Sequence, residues 1–391
     1  MPPQHAPVAA PSQLPQGLPD DAELDAYFAD GGGGFGDASG DAPTIFIMVA
    51  SYRDFQCRET VSSALARARY PERLRVGVVQ QNAVGDTPCG EPFRTCDSDP
   101  SQPLCMYAEN VKIYEMDARD ASGPVFARHV GYRMYRGEAF ALQMDAHCVF
   151  VNNWDETLVA QWRATRNEFA VLSTYLTDVQ GSISTAGDSQ RKTRPIMCNS
   201  DYEGGGVARY LRHGSQPEAV AAVKGEPMLE PFWAAGFSFA RGHFLVRVPY
   251  DPLLPMVFMG EEISIGIRGW THGYDFYAPP TSVVFHEYAQ ESKRRVAVPK
   301  FWTGVRRALP KAQSEGGASA AASRGDGARS LKRLTALIGM APELMPADYE
   351  TAESERYGVG HERPIELFYK ARTIIPPKGS KRVGLAHSHP L

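Results

Sequence analysis

Gln143-Met144-Asp145-Ala146-His147 places an aspartate and a histidine two positions apart, the pair in this sequence best suited to chemistry. Side chains at i and i+2 of an extended segment share a face, so both can approach one ion while Ala146 points away. A carboxylate with an imidazole is a mixed O and N donor set that suits Mn2+, with Mg2+ as the alternative, and such an ion can bridge the phosphates of a nucleotide diphosphate. A solvated loop pair has the same spacing, so a second constellation is needed. Downstream stand Met259-Gly260-Glu261-Glu262, then Arg268, Trp270, His272 and Gly273, then the apolar run Ser282 to Phe285 ending at His286. A histidine beyond a strand is often only packed, yet with Asp145 and His147 it would complete a three-ligand set with positions left for phosphate oxygens and water.

A third theme is Phe232-Trp233-Ala234-Ala235-Gly236-Phe237. Its small residues would let a sugar or a backbone approach closely, and core packing around an aromatic pair explains the same pattern. Hydrolase signatures are absent: His286-Glu287 is followed by Gln290 where a zinc protease needs His, and Gly236-Phe237-Ser238 lacks the closing Gly of a nucleophile elbow. Neither Gly31 to Gly34 nor Gly358-Val359-Gly360 has the context of a phosphate loop.

The elements that must position these residues read as an α/β domain. Ile45 to Ala50 is an apolar run expected to be a buried parallel strand. Val61, Ala64, Leu65 and Ala68 at helical spacing predict a helix ending at Pro71, and Leu74 to Val79 a second strand. Strands are also expected at Val111 to Met116, in AFALQMD and AHCVFV, at Ala170 to Tyr175 and at Phe237 to Ala240, with helices in GPVFARHVGYRMYRG and from Trp154 to Trp162. This alternation predicts a doubly wound sheet whose ligands sit at the carboxyl ends of strands, where Ser51, Gln80, Asp117 and Asp145 fall. The stretch from 200 to 228 is polar and glycine-containing and could wall a cleft.

The 391 residues carry 43% hydrophobic and 22% charged side chains and a net charge of −4. That balance is ordinary for a globular chain and gives no case for nucleic acid or an anionic membrane surface. No leader is evident, and no stretch approaches the roughly 18 apolar residues of a membrane span, so a cytoplasmic address is expected. Residues 1–42, rich in Pro, Ala, Gly and Asp, are expected to form a disordered tail. Residues 43–311 would be the catalytic domain, 312–329 a low-complexity linker, 330–375 a small helical part beginning at Leu331 to Ile338, and 376–391 a frayed tail. Six cysteines without a CxxC pair are read as thiols, although Cys89, Cys96 and Cys105 cluster in one loop.

The ordered set IFIMVASYRDFQC, VGVVQQN, DARDASGPVFARHVGYRMYRGEAFALQMDAHCVFVNNWD, PFWAAGFSFARG, VFMGEEISIGIRGWTHGYDFYAPP, FHEY and RYGVGHERPIELF resembles the hydroxyproline-directed polypeptide α-N-acetylglucosaminyltransferases that act on the adaptor subunit of the SCF ubiquitin ligase. The resemblance runs from about residue 44 to 375. More distantly, Asp145 to Cys148 and Phe258 to Glu262 are similar to the Asp-x-His-Cys and Trp-Gly-Gly-Glu-Asn motifs of the mucin-type polypeptide N-acetylgalactosaminyltransferases. There Glu261 matches the motif Glu, Arg268 and Trp270 keep their spacing, and His286 matches the third metal ligand. Glu262 stands where that family has Asn, and Phe258-Met259 where it has Trp-Gly.

The resemblance implies a GT-A-like nucleotide-diphospho-sugar transferase fold with a mixed, mainly parallel central sheet. It implies retaining transfer of N-acetylglucosamine from UDP-N-acetylglucosamine to hydroxyproline or Ser/Thr of a protein, with a hydroxyprolyl SCF adaptor as the suggested partner. A divalent metal on Asp145, His147 and His286 would assist departure of UDP, with Arg128 as a second cation. Glu261 and Glu262 are expected to bind sugar hydroxyls first and to serve as base or nucleophile second. Ser51, Arg53, Gln80 and Asp117 are expected to contact the uridine, with Trp233, Ala235 and Gly236 beside the sugar. Arg119 and Asp120 suit a surface ion pair equally well. Two alternatives stand: a non-haem iron oxygenase, whose facial triad also uses a carboxylate and two histidines, and a non-catalytic sugar-binding module on the same fold.

Overall fold

The computed structural model describes residues 18–29, 36, 39–40, 42–191, 196–197, 199–203, 210–213, 226–288, 301 and 318–371. In chain order these hold α1 (Asp21–Ala29), β1 (Ile45–Tyr52), α2 (Cys57–Arg67), β2 (Leu74–Asn82), α3 (Pro103–Met106), β3 (Val111–Asp117), α4 (Pro124–Tyr132), β4 (Phe140–Asp145), β5 (Cys148–Phe150), α5 (Trp154–Ala164) and β6 (Ala170–Ser173). There follow β7 (Ser200–Glu203), β8 (Tyr210–His213), β9 (Met228–Leu229), β10 (Phe237–Arg241), α6 (His243–Arg247), α7 (Glu261–Thr271), β11 (Asp275–Ala278), β12 (Val284–His286), α8 (Ala318–Leu337), α9 (Ser354–Tyr357) and α10 (Ile365–Ala371).

The unbroken apolar run of β1 is explained by cover on both faces. Ile45, Ile47 and Val49 enter one core cluster with Val61, Ala64 and Leu65 of α2, whereas Phe46 and Met48 enter the other with Val125, Phe126 and Val130 of α4. Strand alternation divides one run between two cores. The central sheet has the order β3-β2-β1-β4-β10-β6-β11-β9. β1, β2, β3 and β4 are joined by parallel pairs, as are β6 and β11, while β10 runs antiparallel between β4 and β6 and β9 antiparallel beside β11. The expected mixed, mainly parallel sheet is thus present. Its carboxyl edge gathers the ends of β1, β2 and β4 and the start of β10.

Several expectations need correction. AHCVFV does not extend β4: the chain turns at Ala146 and His147, and β5 pairs with β12 in a separate two-stranded sheet. Of the expected tail, residues 21–29 form α1. Asp20 and Glu23 exchange backbone N–H bonds at 2.8 Å as a capping box. Leu24 is buried, and Asp21 pairs with Arg133 at 2.5 Å and accepts from the Tyr357 hydroxyl at 2.6 Å. The Pro- and Gly-rich average of the whole segment masks this short, well-capped piece. The expected linker is helical from residue 318, as an alanine-rich stretch favours.

The four cysteines read as thiols at 57, 89, 96 and 105 form two bridges, Cys57–Cys89 and Cys96–Cys105. Linear spacing carries no information about the approach of Cys57, which opens α2, to a loop 32 residues later. The Gly31 to Gly34 run, most of the tail, residues 312–317, most of 200 to 228 and the end expected to fray at 376–391 lie outside the described residues. No described helix is long and apolar enough to cross a membrane.

Candidate metal centre

Asp145 is the last residue of β4, level with Ala50 of β1, while Ser51 is level with Gln80 of β2. His147 follows after the chain leaves the sheet. His286 arrives from the far side of the sequence because β12 pairs antiparallel with β5, setting His286 opposite Cys148, and Glu287 N–H donates to the His147 carbonyl at 3.0 Å. The donor atoms of Asp145, His147 and His286 all lie within 4.8 Å of one another.

The surroundings prepare each donor differently. Asp145 Oδ1 accepts from Arg128 Nη2 at 2.9 Å, and Oδ2 faces His286 Nε2 at 3.3 Å. Burial alone would raise the Asp145 carboxyl, but the hydrogen bond from His286 and the charges of Arg128, His286 and His147 outweigh it and hold the group below the ordinary carboxylate range. His147 Nδ1 lies 2.8 Å from Oδ2 of the buried Asp54. A carboxylate only accepts, so Nδ1 carries the proton and Nε2 keeps its lone pair. Burial lowers the His147 imidazole below its usual range, against the pull of Asp54, and the neutral ring is the ligating form. His286 Nδ1 is buried with no hydrogen-bond partner among the described residues. One carboxylate and two imidazoles so arranged fit a divalent cation, with coordination positions left for a ligand.

Gly236 precedes β10, whose register sets Phe237 against Met144 and so brings Gly236 alongside Asp145. A Cβ there would stand 2.8 Å from Asp145 Oδ2, so glycine is required by close approach. Behind the carboxylate, Arg128 of α4 bridges Asp145 and Glu261, the first residue of α7. Gly260, at φ 110°, turns the chain into that helix. Glu261 is buried in this ion pair, with burial pushing its carboxyl up and Arg128 pulling it down. Glu262 faces another way: Oε1 accepts from Ala235 N–H at 3.1 Å and Oε2 from the Tyr175 hydroxyl.

The remaining sequence candidates separate clearly. Trp233 is 1% exposed and gives its indole N–H to Ser238 at 2.9 Å, so it packs behind the centre. The Ala235 carbonyl accepts from Gln143 at 2.8 Å. Ser51 and Gln80 sit at the expected strand ends but are buried, and Gln80 Oε1 accepts from Cys89 N–H at 2.6 Å. Arg53 stays partly open in a forked pair with Asp86, at 2.7 and 3.1 Å. Asp117 pairs with Arg119 at 2.6 Å on the surface, in place of the expected Arg119–Asp120 pair. Sequence reasoning passed over Asp54, Thr60 and Tyr175. Only Asp54 left a signal, as the acid of Ser51-Tyr52-Arg53-Asp54 just past a buried strand.

Residues 44–104 and 93–376 match the model of a family described as Glycosyltransferase (GlcNAc). No curated protein matches the chain. Among solved structures, it is similar to GalNAc-T7 with UDP, GalNAc and Mn2+ at 15% identity and a TM-score of 0.49, over 85% of this chain and 55% of that one, so it spans about half of that structure's length. It is also similar to the mannosyltransferase PcManGT from Pyrobaculum calidifontis in complex with GDP-Man and Mn2+, at 12% identity and a TM-score of 0.39, over 92% and 95% of the two chains.

Proposed function

Because the chain belongs to the Glycosyltransferase (GlcNAc) family, we propose that it moves N-acetylglucosamine from UDP-N-acetylglucosamine to a protein hydroxyl, with Asp145, His147 and His286 holding Mn2+ or Mg2+. The observation that carries this reading is the convergence of those three donors within 4.8 Å at the carboxyl edge of the sheet. Family membership displaces the oxygenase alternative.

When bound, the metal neutralises the diphosphate and stabilises UDP as a leaving group, where negative charge develops. Arg128 is fixed between Asp145 and Glu261 before any ligand arrives, so its guanidinium sets the position of the metal-binding carboxylate with little reorganisation. Glu261, engaged by Arg128, positions that cation. Glu262 and Tyr175, half-buried and hydrogen-bonded to each other beside Ala235, are polar groups suited to sugar hydroxyls. Arg53 is the partly open cation among the uridine candidates. The retention that the resemblance implies is proposed to run by front-face attack, because among the described residues no unengaged carboxylate at the centre is offered as a nucleophile. The bond from sugar C1 to the phosphate oxygen breaks, the acceptor oxygen bonds C1 on the same face, and the acceptor proton passes to the departing phosphate.

The acceptor is proposed to be hydroxyproline or Ser/Thr, and a hydroxyprolyl SCF adaptor is the first to try. The test is a panel of UDP-sugars with Mn2+, read as UDP release, on wild type and Asp145→Ala. Release is expected with UDP-N-acetylglucosamine and lost in the variant. Binding of UDP-sugar without turnover under any acceptor would leave a sugar-binding module instead.

A further inference from the structure

His147 is held from one direction by the first turn of α2 and by Asp54, three residues before that helix. Asp54 takes the imidazole Nδ1 at 2.8 Å through Oδ2, while its Oδ1 accepts from Gln56 N–H at 3.0 Å and its carbonyl from Cys57 N–H at 3.2 Å. Thr60, fully buried one turn into the helix, brackets the same histidine along the backbone. Its hydroxyl donates to the Ala146 carbonyl at 2.9 Å and accepts from Cys148 N–H at 3.0 Å. Farther along α2, Ala64 accepts from the Trp154 indole at 2.8 Å and Arg67 donates to the Phe150 carbonyl at 2.9 Å. The helix is pinned at its first residue by the Cys57–Cys89 bridge.

We infer that Asp54 and Thr60 are positioning residues for the metal centre, fixing the tautomer and the place of His147, with the Cys57–Cys89 bridge bracing the turn that carries them. This rests on the reading of Asp145, His147 and His286 as metal ligands. The reason is chemical. An imidazole binds a metal through one nitrogen only when the other holds the proton, and an anionic acceptor at Nδ1 enforces that form while making the ligating nitrogen more basic. An asparagine at 54 can turn its amide N–H toward Nδ1, which favours the opposite tautomer and removes the lone pair from Nε2. Thr60 fixes both peptide groups flanking His147, and a ligand displaced by a fraction of an ångström is a poor ligand.

The experiment is a Mn2+ titration of the full chain, free Mn2+ being read by electron paramagnetic resonance, with no sugar nucleotide present. Asp54→Asn is expected to weaken Mn2+ binding by about ten- to a hundredfold, the range seen when the partner of a ligating histidine is removed. Asp54→Glu should recover part of that loss, and the melting temperature of the metal-free protein should move little. Thr60→Val, which loses both clasping hydrogen bonds at similar volume, should weaken binding in the same direction and carries the test if Asp54→Asn does not fold. Replacing Cys57 and Cys89 together by Ser should weaken binding, whereas the same change at Cys96 and Cys105 should not. Unchanged affinity in Asp54→Asn and Thr60→Val overturns the inference, and unchanged affinity in the Cys57/Cys89 variant removes the brace from it. Asp145→Ala separates the two levels: if it binds Mn2+ as wild type does, the ligand set itself is wrong. If only Asp145→Ala loses binding, the ligand set stands and the inference falls alone.

Discussion

Gly236→Ala adds one methyl group at a position where the backbone tolerates it, since Gly236 is not among the glycines with positive φ. The new Cβ would lie 2.8 Å from Asp145 Oδ2, against the 3.4 Å at which ordinary contact begins. The carboxylate must therefore withdraw by about 0.6 Å. It is tethered by Arg128 through Oδ1, so relief comes chiefly from moving Oδ2, the oxygen that faces His286. Metal sites require donor distances held to about 0.2 Å, so this displacement should weaken Mn2+ binding by at least about tenfold, by analogy with the loss of an orienting partner. Two opposing effects limit the change in fold stability. The backbone-entropy gain of Gly→Ala, about 0.4–1 kcal/mol, opposes an overpacking cost of about 1–3 kcal/mol. Isothermal titration of Mn2+ into metal-free protein, paired with thermal melts, measures both. If Gly236→Ala bound Mn2+ as tightly as wild type, the placement of Asp145 Oδ2 at the metal would be refuted.

Three further outcomes are expected. Glu261→Gln removes one partner of an ion pair whose side chains are 4% and 6% exposed. With Asp145 still beside Arg128, unfolding in urea should show a loss near the lower end of the usual cost, about 3 kcal/mol; wild-type stability would mean the pair contributes nothing. Burial, aided by Arg133, lowers His129 to about 4. The unfolded chain, with an ordinary imidazole, binds more protons between about 6.5 and 4. This contribution to stability is therefore complete above about pH 6.5 and is lost as pH falls toward 4. Thermal melts across that window should fall more steeply for wild type than for His129→Gln, and parallel curves would count against the assignment. Alkylation without reductant, followed by mass spectrometry, should leave Cys57, Cys89, Cys96 and Cys105 unmodified. Bridges persist in oxidising surroundings and are rare in the cytosol, so modification of all four in protein from its native source would favour the cytoplasmic address.

Much of the frame was legible in the sequence because it is written in local terms. The apolar runs of β1, β2 and β4 and the helical spacing of α2 declare themselves over a few residues, and Asp145 closes β4 with His147 two residues on. His286 is different in kind: it enters the centre only because β12 pairs with β5, a contact between residues 148–150 and 284–286 that no local pattern announces. Asp54 and Thr60 depend in the same way on the seating of α2 against β5, and Cys57 meets Cys89 only once α2 and the loop after β2 are in place. Burial of the candidate ligand contacts was also beyond the sequence. Trp233, Ser51 and Gln80 have residue types suited to a sugar nucleotide, and only packing decides that Trp233 lies behind the centre and that Gln80 holds the Cys89 loop. Composition over a long window hid α1, whose stability comes from Leu24 in the core and Asp21 against Arg133 and Tyr357. Residue type and spacing determined what chemistry the chain could support. Which groups face one another was decided by long-range strand pairing and close packing, since both join residues far apart in the chain.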